Sequence, residues 1–102
     1  MANARPSVEK KPVEWAASAR AALAATMDKI HREDAHAAQL VAQRLEKSLS
    51  TLQSFPKLGT PINGTRSRSY PVPHTGHSFN YRVTGNAIQI TRWYRQRQNV
   101  RR

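Results

Sequence analysis

A chain of 102 residues has room for one modest core, and 17 Lys and Arg against 6 Asp and Glu give it a net charge of +11. That excess disfavours compaction through self-repulsion and attracts anionic partners such as nucleic acid or an acidic protein segment. No apolar run approaches the ~20 residues that span a bilayer, the lack of cysteine removes disulfide and thiolate chemistry, and nothing clusters as metal ligands do, so no membrane, metal or cofactor is expected.

Met1 to Lys11 is polar and poor in aromatics and is expected to be a flexible tail without the apolar centre of a signal peptide, which points to a cytoplasmic protein. One domain is expected over residues 12–98, with 99–102 as a basic tail. Pro12-Val13-Glu14-Trp15 reads as a short strand with proline tolerated at its start. From about Ser18 an alanine-rich helix is predicted, because Ala19, Leu23, Met27 and Ile30 recur in steps of three or four. A tight break at His31 to Asp34 follows, with Asp34 as the N-cap of a second helix. Ala38, Val41, Leu45, Leu49 and Leu52 form the buried stripe of that helix, and the pair is expected to pack antiparallel.

Phe55-Pro56-Lys57-Leu58-Gly59 ends the helix, and Pro61, Asn63 and Gly64 extend the loop. Three strands are predicted next, at about Arg66 to Val72, Ser78 to Thr84 and Ala87 to Arg95, the last two joined by a Gly85-Asn86 turn. Alternation assigns Phe79, Tyr81 and Val83 to one face of the middle strand and Ser78, Asn80 and Arg82 to the other. Ile88 and Ile90 point to the core. The expected architecture is α+β: an N-terminal strand and an antiparallel helical hairpin packed on a small antiparallel β-sheet.

The order of these pieces resembles the RelE/ParE superfamily, the toxins of type II toxin–antitoxin modules, over Lys11 to Asn99. Lys11-Pro12-Val13-Glu14-Trp15 is similar to the family's first strand; Ala37-Ala38 and Phe55-Pro56-Lys57-Leu58-Gly59 match the two ends of its second helix. Arg68-Ser69-Tyr70-Pro71-Val72 resembles an element of the ParE branch, and Tyr81-Arg82-Val83 and Ile88-Gln89-Ile90-Thr91-Arg92 match the next strands. The chain departs from the pattern at Arg95, where ParE-like chains commonly carry histidine, and in a slightly lengthened connection from Pro73 to His77. The resemblance implies a non-catalytic inhibitor of DNA gyrase, neutralised by a cognate acidic antitoxin in a hetero-oligomer. The alternative it carries is a RelE-like ribosome-dependent endoribonuclease, with ribosome and mRNA as partners.

The residues expected to meet target or antitoxin are Arg68, Arg82, Arg92, Trp93, Tyr94, Arg95 and Arg97. Arg68 and Arg82 either form a basic floor on the sheet or pair with Glu14 or helix-end carbonyls. Trp93 and Tyr94 interleave with the arginines, an arrangement suited to base stacking or to a protein hot spot, though Trp93 equally suits the edge of the core. A nuclease needs a proton-transfer group near neutrality, which arginine cannot supply. Tyr94, His77 and His74 are the candidates for that role, and both histidines are expected in an exposed loop.

Overall fold

The computed structural model describes residues 10–96. Arg97 and the two chain ends lie outside them. Among the described residues the order is β1 (Val13–Trp15), α1 (Ala17–Glu33), α2 (Ala35–Ser54), β2 (Thr60–Pro61), β3 (Arg68–Val72), β4 (His77–Val83) and β5 (Ile88–Arg95). Both helices cover one face of a single sheet ordered β1-β5-β4-β3-β2, with α1 over β5 and α2 against β3.

Asp34 alone separates the helices. Its extended backbone breaks the helical path while its N–H bonds Ile30 O at 2.7 Å, and its carboxylate accepts from the His36 and Ala37 amides at 3.0 and 3.1 Å. One residue therefore satisfies backbone groups on both sides of the hairpin. The break is narrower than expected, since α1 continues to Glu33.

β3, β4 and β5 form an antiparallel meander, but β1 joins β5 in parallel, Glu14 opposite Gln89, so the sheet is mixed. A second addition is β2, read from sequence as loop. It is a two-residue edge ladder, too short to show alternation, and Pro61 is tolerated there because an edge strand can spare its N–H. The β4–β5 turn is closed by Thr84, whose amide bonds Ala87 O at 2.9 Å and whose hydroxyl accepts from the Asn86 and Ala87 amides.

The pairing of β4 with β5 slips by one residue. Asn80 faces Arg92 but Tyr81 faces Ile90, which leaves Thr91 as an extra residue bulged out of the ladder. Uninterrupted alternation from Ile88 and Ile90 would carry Arg92 into the core. The bulge resets the phase, so Trp93 enters instead, at 4 % exposure, and Arg92 faces out. The core thus joins Phe79, Tyr81, Ile88, Ile90, Val72 and Trp93 of the sheet to Ala19, Leu45 and Leu52 of the helices. Each large side chain buried there contributes on the order of 1.5–3 kcal/mol.

Candidate functional site

The face of the sheet opposite the helices is open, and strand alternation gives it Glu14, Ser78, Asn80, Arg82, Gln89, Arg92 and Tyr94. Cross-strand contacts hold these side chains in place. Arg82 Nε–H donates to Gln89 Oε1 at 3.1 Å, and Gln89 Nε2 reaches Glu14 Oε1 at 3.5 Å. Tyr94 donates its hydroxyl proton to Asn80 Oδ1 at 3.0 Å, and the Arg92 guanidinium carbon lies 4.9 Å from the centre of the Tyr94 ring. Arg66 and Arg82 also line a depression of about 460 Å³ at the β4–β5 turn. Among the described residues the one ion pair is Arg32–Asp28 on α1, so neither Arg82 nor Arg92 has a carboxylate within bridging distance. The open face presents oriented cations that no carboxylate of the described residues pairs with.

Arg68 stands apart from this group. Alternation puts it on the covered side, and its guanidinium donates to Lys57 O at 3.0 Å and Gly59 O at 2.8 Å. It shares that turn with Tyr81, whose hydroxyl donates to Pro56 O at 2.7 Å and accepts from Gly59 N at 2.8 Å. A side chain at position 59 would meet the Tyr81 ring at 2.7 Å and Ser69 O at 2.8 Å, which is why glycine stands there. Burial raises the Tyr81 pKa, opposed by its bond with Gly59 and by the charge of Arg68, so the phenol keeps its proton as donor. The same anchored turn leaves Phe55 and Leu58 as the exposed large apolar side chains among the described residues.

Trp93 and Arg95 also fall on the covered side. Trp93 donates its indole N–H to Thr26 Oγ1 at 3.0 Å and packs against Trp15 with centroids 6.5 Å apart. Arg95 is exposed at the sheet end, opposite His77. His77 corrects an expectation: it opens β4 rather than lying in an exposed loop, is 8 % exposed, and stacks on Trp93 at 5.2 Å between near-parallel rings. Burial lowers its pKa, the bond to Thr75 O raises it, and Arg95 lowers it further. His74 lies in the β3–β4 turn, against α2 rather than near His77's stack.

The three proton-transfer candidates do not form one cluster: Tyr94 and His77 both border a depression at the sheet end, but the Tyr94 hydroxyl is engaged by Asn80, and His74 lies apart. Tyr94 is on the open face, His77 is under α1 and His74 is beside α2. Sequence reasoning also passed over Asn80 and Gln89, which orient Tyr94 and Arg82. Their signal was available in part, because the Gly85–Asn86 turn places residue 89 opposite residue 82.

On the helical side, Leu23 and Met27 of α1 and Ala42, Leu45 and Leu49 of α2 line an apolar groove of about 260 Å³ closed by Trp15. No helix among the described residues is long and apolar enough to cross a membrane.

Residues 13–100 match the family model for the ParE toxin of the type II toxin–antitoxin system parDE. The chain belongs to the ParE toxin family. Among solved structures, it is similar to a chain described as the chromosomal ParDE TA system from P. aeruginosa, with a TM-score of 0.72 and 24% identity over 86% of this chain and 98% of that one. At that identity the likeness supports the fold of the ParE domain. No curated protein matches the sequence.

Proposed function

We propose that this ParE-family chain inhibits DNA gyrase by stoichiometric binding, without catalysis of its own, and is neutralised by an acidic antitoxin. Family membership over residues 13–100 carries the reading. The geometry is consistent with it, because oriented cations on an open sheet face suit binding, and His74 lies apart from the other proton-transfer candidates. Arg82, Arg92 and Tyr94, on the open face, form the target-facing group in this reading. Arg68 acts by holding the α2–β2 turn. The antitoxin's amphipathic segment lies in the apolar groove between α1 and α2, and its carboxylates answer the net charge of +11. The mode of assembly is a toxin–antitoxin hetero-oligomer.

One observation favours the ribonuclease alternative. The depression at the sheet end, about 390 Å³, brings His77 and Tyr94 together with Lys29, Glu33 and Arg95, two candidate proton-transfer groups beside cations. Purified toxin titrated into a gyrase supercoiling and cleavage assay decides between the two. Accumulation of gyrase-linked linear DNA, reversed by antitoxin, is the expected result. Unaffected gyrase at toxin excess would transfer the reading to the ribosome and to His77.

A further inference from the structure

The charge of this chain is divided unequally along its length. Residues 1–46 hold all six acidic residues with seven Lys and Arg, whereas residues 47–102 hold ten Lys and Arg and no acid. The divide falls within α2, where Glu46 lines the groove toward α1 and Lys47 lines a separate depression toward the sheet. That second depression, about 290 Å³, lies between α2 and the β3–β4 turn and is bounded by Arg44, Lys47, Thr51, Tyr70, Pro73 and His74. No carboxylate of the described residues lines it.

Its donors are arranged rather than merely near one another. Arg44 and Lys47 are three residues apart and so share one side of α2. The Arg44 guanidinium donates to the carbonyl of His74 at 3.2 Å, which ties it to the opposite wall. His74 holds a left-handed backbone with φ 59°, a conformation that a side chain disfavours, in a turn that has glycine in the same region at Gly76. A residue held in that conformation, whose carbonyl positions an arginine and which itself bounds the depression, fits a site retained at a cost in stability. The hydroxyls behave differently. Ser48 and Thr51 donate their protons to Arg44 O and Lys47 O, which leaves their oxygens as acceptors for a ligand hydroxyl. Tyr70, fixed by its tilted contact with Phe79 at 5.7 Å, and Pro73 add an apolar wall.

We infer that this depression binds a phosphate ester, its phosphoryl oxygens held by Arg44, Lys47 and His74 and its sugar or base against Tyr70 and Pro73. A free nucleotide and a nucleic-acid backbone offer the same chemistry. The site does not depend on gyrase being the target, since its groups are separate from Arg82, Arg92 and Tyr94.

The test is a titration of isotope-labelled protein with sodium phosphate, adenosine monophosphate and a short DNA duplex, followed by amide chemical shifts at constant ionic strength. Shifts concentrated at residues 44–51 and 70–76 are expected with all three. Arg44→Gln or Lys47→Gln should weaken binding about tenfold, the scale of one charge-assisted hydrogen bond. His74→Gly should weaken it as well while leaving the melting temperature unchanged or raised, because glycine relieves the left-handed strain. Tighter, steeply salt-dependent duplex binding identifies a nucleic-acid backbone as the ligand, and saturation by the mononucleotide alone identifies a free nucleotide. Shifts spread over every cationic surface, shifts centred on Arg82 and Arg92, or undiminished affinity in both glutamine variants would each overturn the assignment.

Discussion

On the covered face of the sheet, arginine and aromatic side chains are held by the protein itself: Arg68 by two backbone carbonyls, Tyr81 by Pro56 and Gly59, Trp93 by Thr26 and His77. On the open face, made by the same strands, Arg82 meets Gln89, Arg92 lies over Tyr94, and neither finds a carboxylate among the described residues. Similar residue types thus serve the fold on one side and remain available to a partner on the other. What separates them is strand phase, which in β5 the single extra residue Thr91 resets. Substitutions should divide along the same line, with loss of stability on the covered face and loss of inhibition on the open one.

The largest effect is expected at Trp93. It is 4 % exposed, and its removal empties the space between Trp15 and His77 and leaves the Thr26 hydroxyl without its donor. Trp93→Ala should cost about 3–5 kcal/mol by chemical denaturation. Near-wild-type stability combined with loss of inhibition would instead move Trp93 into the group that meets the target.

Tyr81→Phe comes next and isolates a hydrogen-bond effect, since the ring is kept. The Pro56 carbonyl loses its donor and the buried Gly59 amide its acceptor in a partly exposed turn, a cost of about 1–3 kcal/mol. Loosening that turn should also raise amide exchange at residues 55–59, which hydrogen-exchange measurements would detect. An unchanged exchange pattern would mean that Arg68 holds the turn unaided.

His77 separates the faces by pH. Its folded pKa lies below the ordinary value of 6.5, chiefly through burial. Above that value the ring is neutral in both folded and unfolded chains and favours neither. As pH falls below about 6.5 the unfolded chain takes the proton first, so stability declines until pH passes the lowered folded value. His77→Phe keeps an aromatic ring on Trp93 and removes the proton. Denaturation midpoints at about pH 7.5 and about pH 5.5 should therefore differ less in the variant than in the wild type. Gyrase inhibition at neutral pH should survive the change, whereas its loss in a folded variant would place the ring among the groups that meet the target.

Much of the fold is legible in the residues. The apolar stripes of both helices, the cap at Asp34 and the alternation of Phe79 and Tyr81 are local patterns repeated often enough to be read. What is not legible depends on long-range pairing or on a single residue. β1 joins β5 in parallel across some 70 intervening positions, and β2 has two residues. The bulge left only the three-residue step from Ile90 to Trp93 as its mark, so Arg92, Trp93, Tyr94 and Arg95 read as one group although Trp93 and Arg95 face the helices. His77 reads as a loop polar residue because nothing local reveals that its ring will stack on Trp93. Gly59 gives no hint that it makes room for Tyr81, since the two are 22 residues apart.

The smallest effect on stability, and the most direct test of the open face, is expected from Arg82→Ala and Arg92→Ala. Both side chains are exposed, and their contacts are a neutral amide and an aromatic ring at the surface, so removing either leaves no buried group unsatisfied. Thermal unfolding should be indistinguishable from wild type, while gyrase inhibition should fall in each single variant and further in the double. The order of the two single variants is informative. Arg92 is stacked on a Tyr94 ring that Asn80 fixes, whereas Arg82 depends on one bond to the flexible amide of Gln89. A cation held over a rigid ring loses less freedom on binding, so Arg92→Ala should be the more damaging, and Tyr94→Phe, which frees the ring from Asn80, should reproduce a fraction of that loss. Equal losses at Arg82 and Arg92, with Tyr94→Phe silent, would mean that the target reads net charge across the face rather than an oriented group.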